Sequence, residues 1–171
     1  MGLYVSNTDF KGQDKVASDK FTKPDLDLYI DKWEVRYLQD LLGCELYNDF
    51  ATDFAITGVS PTAPKFQEIW NYICTDDGCG IIRSEGIKAM LVLFIYFEFI
   101  RDSKVKNNIG GVNINTQVNS TEAEFHQTNI YTNYNEGLHS YWAIQKTICD
   151  NPNNYDWSKY NGQNKRLNSW I

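Results

Sequence analysis

The segment Ala89 to Ile100 constrains this chain most: it is apolar at nearly every position, with Glu98 the one charge inside it. A surface helix keeps one face polar, so a helix apolar all round belongs in the middle of a bundle. The run is too short for the roughly 20 apolar residues that cross a bilayer, which predicts a buried core helix and no membrane association. Ser84 and Glu85 mark its start and Asp102 its end. A chain of 171 residues, 42% hydrophobic and 15% aromatic, has enough apolar material to cover that helix and form one domain.

Other helices follow from apolar spacing. Leu26, Ile30, Trp33, Tyr37, Leu38, Leu41 and Leu42 form one stripe over Pro24–Leu42, with Thr22 as cap and Gly43 as a left-handed stop. Leu46, Phe50 and Phe54 predict a second helix over Glu45–Phe54. Phe66, Ile69, Trp70 and Ile73 predict a third over Pro64–Cys74, followed by an Asp76-Asp77-Gly78 turn. Ser120 opens the last helix, which runs to Asp150 over about 45 Å at 1.5 Å per residue.

Between the last two long helices the pattern changes. Gly110-Gly111 precedes Val112-Asn113-Ile114-Asn115-Thr116-Gln117-Val118, which alternates apolar and polar at period two and predicts a half-buried strand. No partner strand is evident nearby, so its backbone groups are expected to pair outside the bundle. The fold class expected is thus mainly α: a small helical bundle with a central apolar helix, a long C-terminal helix and a strand or hairpin insertion over 103–119. Residues 1–21 read as an extended N-terminal arm, 22–150 as the helical domain and 151–171 as a tail. In that tail Tyr155, Trp157, Tyr160, Trp170 and Ile171 are expected to dock on a partner.

The chemistry-bearing residues do not converge. His126 and His139 lie on one helix, 13 positions apart, on nearly opposite faces. Cys74 and Cys79 form C-x4-C, but no second pair completes a zinc site, and Cys44 and Cys149 are remote in sequence. No nucleotide-binding glycine loop and no nucleophile–histidine arrangement is present. The expectation is a protein without cofactor, metal or catalytic residues. Acidic residues outnumber basic ones by 22 to 16, for a net charge of −6, which argues against gripping nucleic acid through its phosphates but allows surrounding it. The polar N-terminus lacks a signal peptide's apolar stretch, which predicts a reducing compartment.

The order of segments resembles a known family. Tyr29-Ile30-Asp31-Lys32-Trp33-Glu34 leads to Tyr37-Leu38-Gln39-Asp40-Leu41-Leu42-Gly43 and Glu45-Leu46-Tyr47. Then come Tyr96-Phe97-Glu98-Phe99-Ile100-Arg101, Gly110-Gly111-Val112, Asn119-Ser120, Tyr134-Asn135-Glu136-Gly137 and Tyr141-Trp142-Ala143-Ile144-Gln145. Over residues 26–150 this is similar to the head–tail connector (adaptor or ring) proteins of tailed double-stranded-DNA phages, in particular those of crAss-like phages infecting Bacteroidota. The resemblance implies a virion structural protein, assembled in the host cytoplasm. Identical subunits, commonly twelve, would form a ring at the portal–tail junction, with the portal above, other ring or tail proteins below, and DNA passing through without sequence-specific binding. It also implies that Asn108, Ile109, Gly110, Gly111, Val112, Asn113, Ile114, Thr116 and Val118 reach a neighbouring subunit. The alternatives are a minor neck or tail-completion protein, and a helical binding module or enzyme holding a ligand among Trp33, Trp70 and Trp142.

Overall fold

The computed structural model describes residues 2–12, 22–76, 80–103, 105–108, 111–114, 124–156 and 160–163. It is mainly helical. In chain order the elements are α1 (Thr22–Leu42), α2 (Cys44–Phe54), α3 (Pro64–Trp70), β1 (Ile73–Asp76), β2 (Ile81–Ser84), α4 (Ile87–Ser103), β3 (Val105–Asn108), β4 (Gly111–Ile114) and α5 (Glu124–Asp150). A short 3-10 turn, Asn7–Asp9, precedes them.

The apolar segment is α4, and it lies at the centre as its composition requires. Met90, Leu91, Phe94 and Ile95 are fully buried. Phe94 stacks on Tyr37 of α1 with ring centroids 4.5 Å apart, and it meets Tyr134 and Tyr141 of α5 at 5.3 and 6.3 Å. Phe97, one turn on, meets Tyr131 and Tyr134, so α4 and α5 run antiparallel. Aromatic pairs at these separations contribute about 1 kcal/mol each beyond the area they bury. One stripe of α4 is left half-exposed nonetheless: Ala89, Leu93, Tyr96 and Ile100. Apolar all round therefore does not mean covered all round.

The third helix is shorter than its apolar spacing predicts. It stops at Trp70, where Asn71 turns extended, and Ile73–Asp76 form a strand instead. β1 pairs antiparallel with β2, with Ile73 opposite Ser84 and Asp76 opposite Ile81. Ile69 and Ile73 suit a helix by spacing, but Tyr72, Ile73 and Thr75 are β-prone, and Ile81-Ile82 supplies a matching run across a short link. Packing of β2 on α5 decides the competition. Of the expected Asp76-Asp77-Gly78 turn, Asp76 ends β1 and the other two residues lie outside the described ones.

Gly86 links β2 to α4 with φ +91°, a region open to glycine alone; a Cβ there would overlap the Trp70 carbonyl oxygen. Gly43 joins α1 to α2 with φ +76° but ψ 163°, so it is an extended glycine hinge rather than the left-handed stop expected. A Cβ on it would sit 2.8 Å from the Asn161 nitrogen.

Both chain ends depart from the sequence reading. The segment expected to be an extended arm enters the core through Tyr4, Val5 and Phe10. Tyr4 packs against Phe50 and Phe54 of α2 at 5.6 and 4.8 Å. At the other end, Tyr155 is fully buried and its hydroxyl donates to the Lys65 carbonyl at 2.6 Å.

Candidate assembly surface

Five of the nine residues expected to meet a neighbouring subunit lie on a two-stranded hairpin. β3 pairs antiparallel with β4, with Val105 opposite Ile114, Lys106 opposite Asn113, Asn107 opposite Val112 and Asn108 opposite Gly111. This corrects the expectation of a lone strand: Gly111–Ile114 finds its partner in the four residues just before the glycines. Lys106, Asn107 and Asn108 are weak strand formers, which concealed β3 in the sequence. Asn108, Gly111, Val112, Asn113 and Ile114 are thus hairpin residues, whereas Ile109, Gly110, Thr116 and Val118 lie outside the described residues.

Among the described residues each strand of this pair uses one edge only, and the pair does not join the β1–β2 sheet. Its packing is chiefly internal and onto the end of α4. An isolated two-stranded hairpin is marginal in water, so this one gains most by covering its edges.

The base of the hairpin is held firmly. Tyr29 of α1 donates to Asp102 Oδ2 at 3.0 Å, and Arg101 Nε reaches Asp102 Oδ1 at 2.9 Å. Arg101 also pairs with Glu98, whose Oε1 accepts the Tyr37 hydroxyl at 2.7 Å. Burial, and then the Glu98 carboxylate, pushes the Tyr37 hydroxyl far up, so that it stays a donor. The last turns of α4 are thereby fixed against α1.

The predicted tail residues divide. Tyr155 belongs to the chain's own core, which corrects its assignment to a partner. Tyr160 is half-buried and packs on that same core, and burial pushes its hydroxyl up to about 12. Gln163 closes the tail onto α1 and α5: its N–H donates to the Asp40 carbonyl at 2.7 Å, and its carbonyl accepts Gln145 Nε2 at 3.0 Å. The Tyr141 hydroxyl lies 2.7 Å from Asp40 O and 2.6 Å from Gln163 O, so one proton serves both carbonyls. A polar tail can hide its aromatics at home when their hydroxyls meet backbone carbonyls. Trp157, Trp170 and Ile171 lie outside the described residues.

One functional-looking group escaped the sequence reading. Glu34 is almost fully buried, and its carboxylate accepts the N–H groups of Leu3, Tyr4 and Val5 at 2.6, 3.1 and 3.3 Å. Burial raises its carboxyl above the usual range, and the three donors pull it partly back. A second tie joins Asp9 to Lys88 of α4 at 2.9 Å. Burial acts upward on the Asp9 carboxyl, but Lys88 and Ser6 outweigh it and lower it. The available signal was Glu34 itself, a charge inside the stripe Ile30, Leu38, Leu41 that requires compensation.

Several surface clefts lie elsewhere on the bundle. One, of about 580 Å³, lies between α3, β1 and the end of α5. Two others, lined by Arg83 and His139 in common, follow β2 and the half-exposed side of α4. Trp33, Trp70 and Trp142 do not converge: Trp33 meets Tyr37, Trp70 meets Phe50 and Phe54, and Trp142 meets His139. Among the described residues no group of three or more His, Cys, Asp or Glu is placed to hold a metal, and no helix is long and apolar enough to cross a membrane. No protein-family model, no curated protein and no solved structure matches this chain.

Proposed function

We propose that this chain is a non-enzymatic structural subunit of a tailed-phage neck, a head–tail connector whose copies form a ring at the portal–tail junction. The portal lies above it, ring or tail proteins lie below, and DNA passes through the lumen. One observation carries the reading: a hairpin whose outer edges meet no strand among the described residues follows a braced helix end, between the two helices that form the centre of the bundle. Strand addition onto a neighbouring copy satisfies such edges and links subunits head to tail. Weak contacts repeated around a ring make a durable assembly. The net charge of −6 suits a lumen that passes DNA without holding it.

Mass spectrometry of purified virions tests the role, and light scattering of the isolated chain tests assembly. The expected results are a virion component at ring copy number and a discrete oligomer. Absence from particles overturns the reading; presence at one or a few copies assigns the chain instead as a minor neck or tail-completion protein.

A further inference from the structure

We propose that the outer edge of β1, with the cleft beside it, is the socket that receives the β3–β4 hairpin of a second copy of this chain. This rests on the reading of the hairpin as a contact between copies, and it names the receiving surface. β1 pairs with β2 along one edge, and among the described residues no strand lies on its other edge. The cleft against it is lined by Glu68, Asn71, Ile73, Cys74, Asp150 and Asn151 among others, with two carboxylates and no Lys or Arg in its lining. Asp150 shares its charge with Lys146 at 3.0 Å. The hairpin segment has the opposite sign: residues 103–119 contain Lys104 and Lys106 and no acidic residue, in a chain whose net charge is −6. A strand whose second edge meets no other strand among the described residues, beside an acidic cleft, fits a basic strand in the same position.

Geometry makes the contact intermolecular. The hairpin leaves α4 at Ser103, beside the start of the antiparallel α5, whereas the cleft lies at the end of α5 near Asp150. The 27 residues of α5 separate those ends by about 40 Å. One copy cannot fill its own socket, so donor and acceptor lie at opposite ends of the molecule. Contacts of this kind join unlike faces and propagate until they close.

Cys74 provides the probe, since its thiol is exposed on β1. In the full-length chain, Cys44, Cys79 and Cys149 are changed to Ser, and single cysteines are placed at Lys106, Asn107 or Asn108. Residues facing each other across adjacent strands lie within disulfide reach. Mild oxidation is expected to give a ladder of covalent oligomers from at least one position, lost on Cys74→Ser and absent without the hairpin cysteine. Glu68→Lys is expected to weaken self-association about tenfold, and Lys106→Glu in the same chain to restore it. Oligomers that form with no Cys74-dependent ladder overturn the socket and leave the hairpin reading standing; capture of the hairpin cysteine by Leu93→Cys then assigns it to the half-exposed side of α4. A chain that is monomeric at every concentration and gives no ladder overturns both.

Discussion

The two hairpins are alike on paper: each joins two four-residue antiparallel strands across a short link. Their surroundings differ. In β1–β2, Ile73 and Ser84 are buried, β2 packs on α5, and the Ser84 hydroxyl accepts the Gly86 N–H at 3.0 Å where α4 begins. In β3–β4 the packing is internal and onto the end of α4. The first is a joint of the bundle and its loss is felt throughout. The second, on the proposed reading, is carried by the bundle and offered to another molecule. Strand pairing alone distinguishes nothing; what lies on the faces and edges does.

The largest effect is expected at the joint. Gly86→Ala forces a strained φ and an overlap with the Trp70 carbonyl, and should cost about 3 kcal/mol or more, lowering Tm by about 10 °C in thermal melts. Unchanged melting would break the comparison by showing that β1–β2 is as dispensable as β3–β4. Ile73→Ala removes a buried side chain from the same hairpin and should cost about 2 kcal/mol in urea titrations.

A pH series sharpens the bundle side of the contrast. The Glu34 carboxyl is raised above its ordinary value of 4.5 by burial. The folded chain therefore keeps that proton at a pH where the unfolded chain has released it, so this group's contribution to stability falls as pH rises above 4.5. Glu34→Gln should flatten this component of the melting profile and, by placing an amide NH₂ against a backbone donor, cost about 1–2 kcal/mol near neutrality. The lowered Asp9 carboxyl acts with the opposite sign, and its contribution is lost as pH falls, so the difference between wild type and variant isolates Glu34. An identical slope in both proteins would mean that Glu34 does not titrate in this way.

The smallest effect on stability, and the most informative about function, belongs to β3–β4. Replacing residues 105–114 by a Gly-Ser linker should change the unfolding free energy by less than about 0.5 kcal/mol while removing oligomers from the light-scattering profile. A large loss of stability would place this hairpin among the joints after all.

The helices were legible wherever one apolar period could account for one buried face. α1, α2 and α5 follow that rule, because Ile30, Leu38 and Leu41, or Leu138, Tyr141 and Ile144, need only their own spacing to be recognised, and α4 was legible from its all-round apolar composition. The parts that escaped depend on distant partners. Tyr4 and Val5 have no period of their own and are held by a carboxylate about thirty residues later. Tyr155 sits in a polar tail and finds its acceptor ninety residues earlier. Ile73 satisfied the helical period and the strand propensity equally, and only β2 with α5 behind it decides between them. At the candidate site, the glycine-led strand was visible through its alternation, but its partner β3 was hidden among lysine and asparagines.

The clasp between Gln163 and the Asp40 carbonyl bears on the order in which the protein is completed during synthesis. A ribosome delivers Asp40 more than a hundred residues before Gln163, and until then the Tyr141 hydroxyl can satisfy only one of the two carbonyls it finally serves. Helix pairing can begin on the nascent chain, but the seam along α1 and α5 is sealed only once Gln163 has been delivered. A truncation just upstream of Gln163 should therefore yield a helical product whose first and last helices exchange their amide hydrogens faster than those of the intact chain.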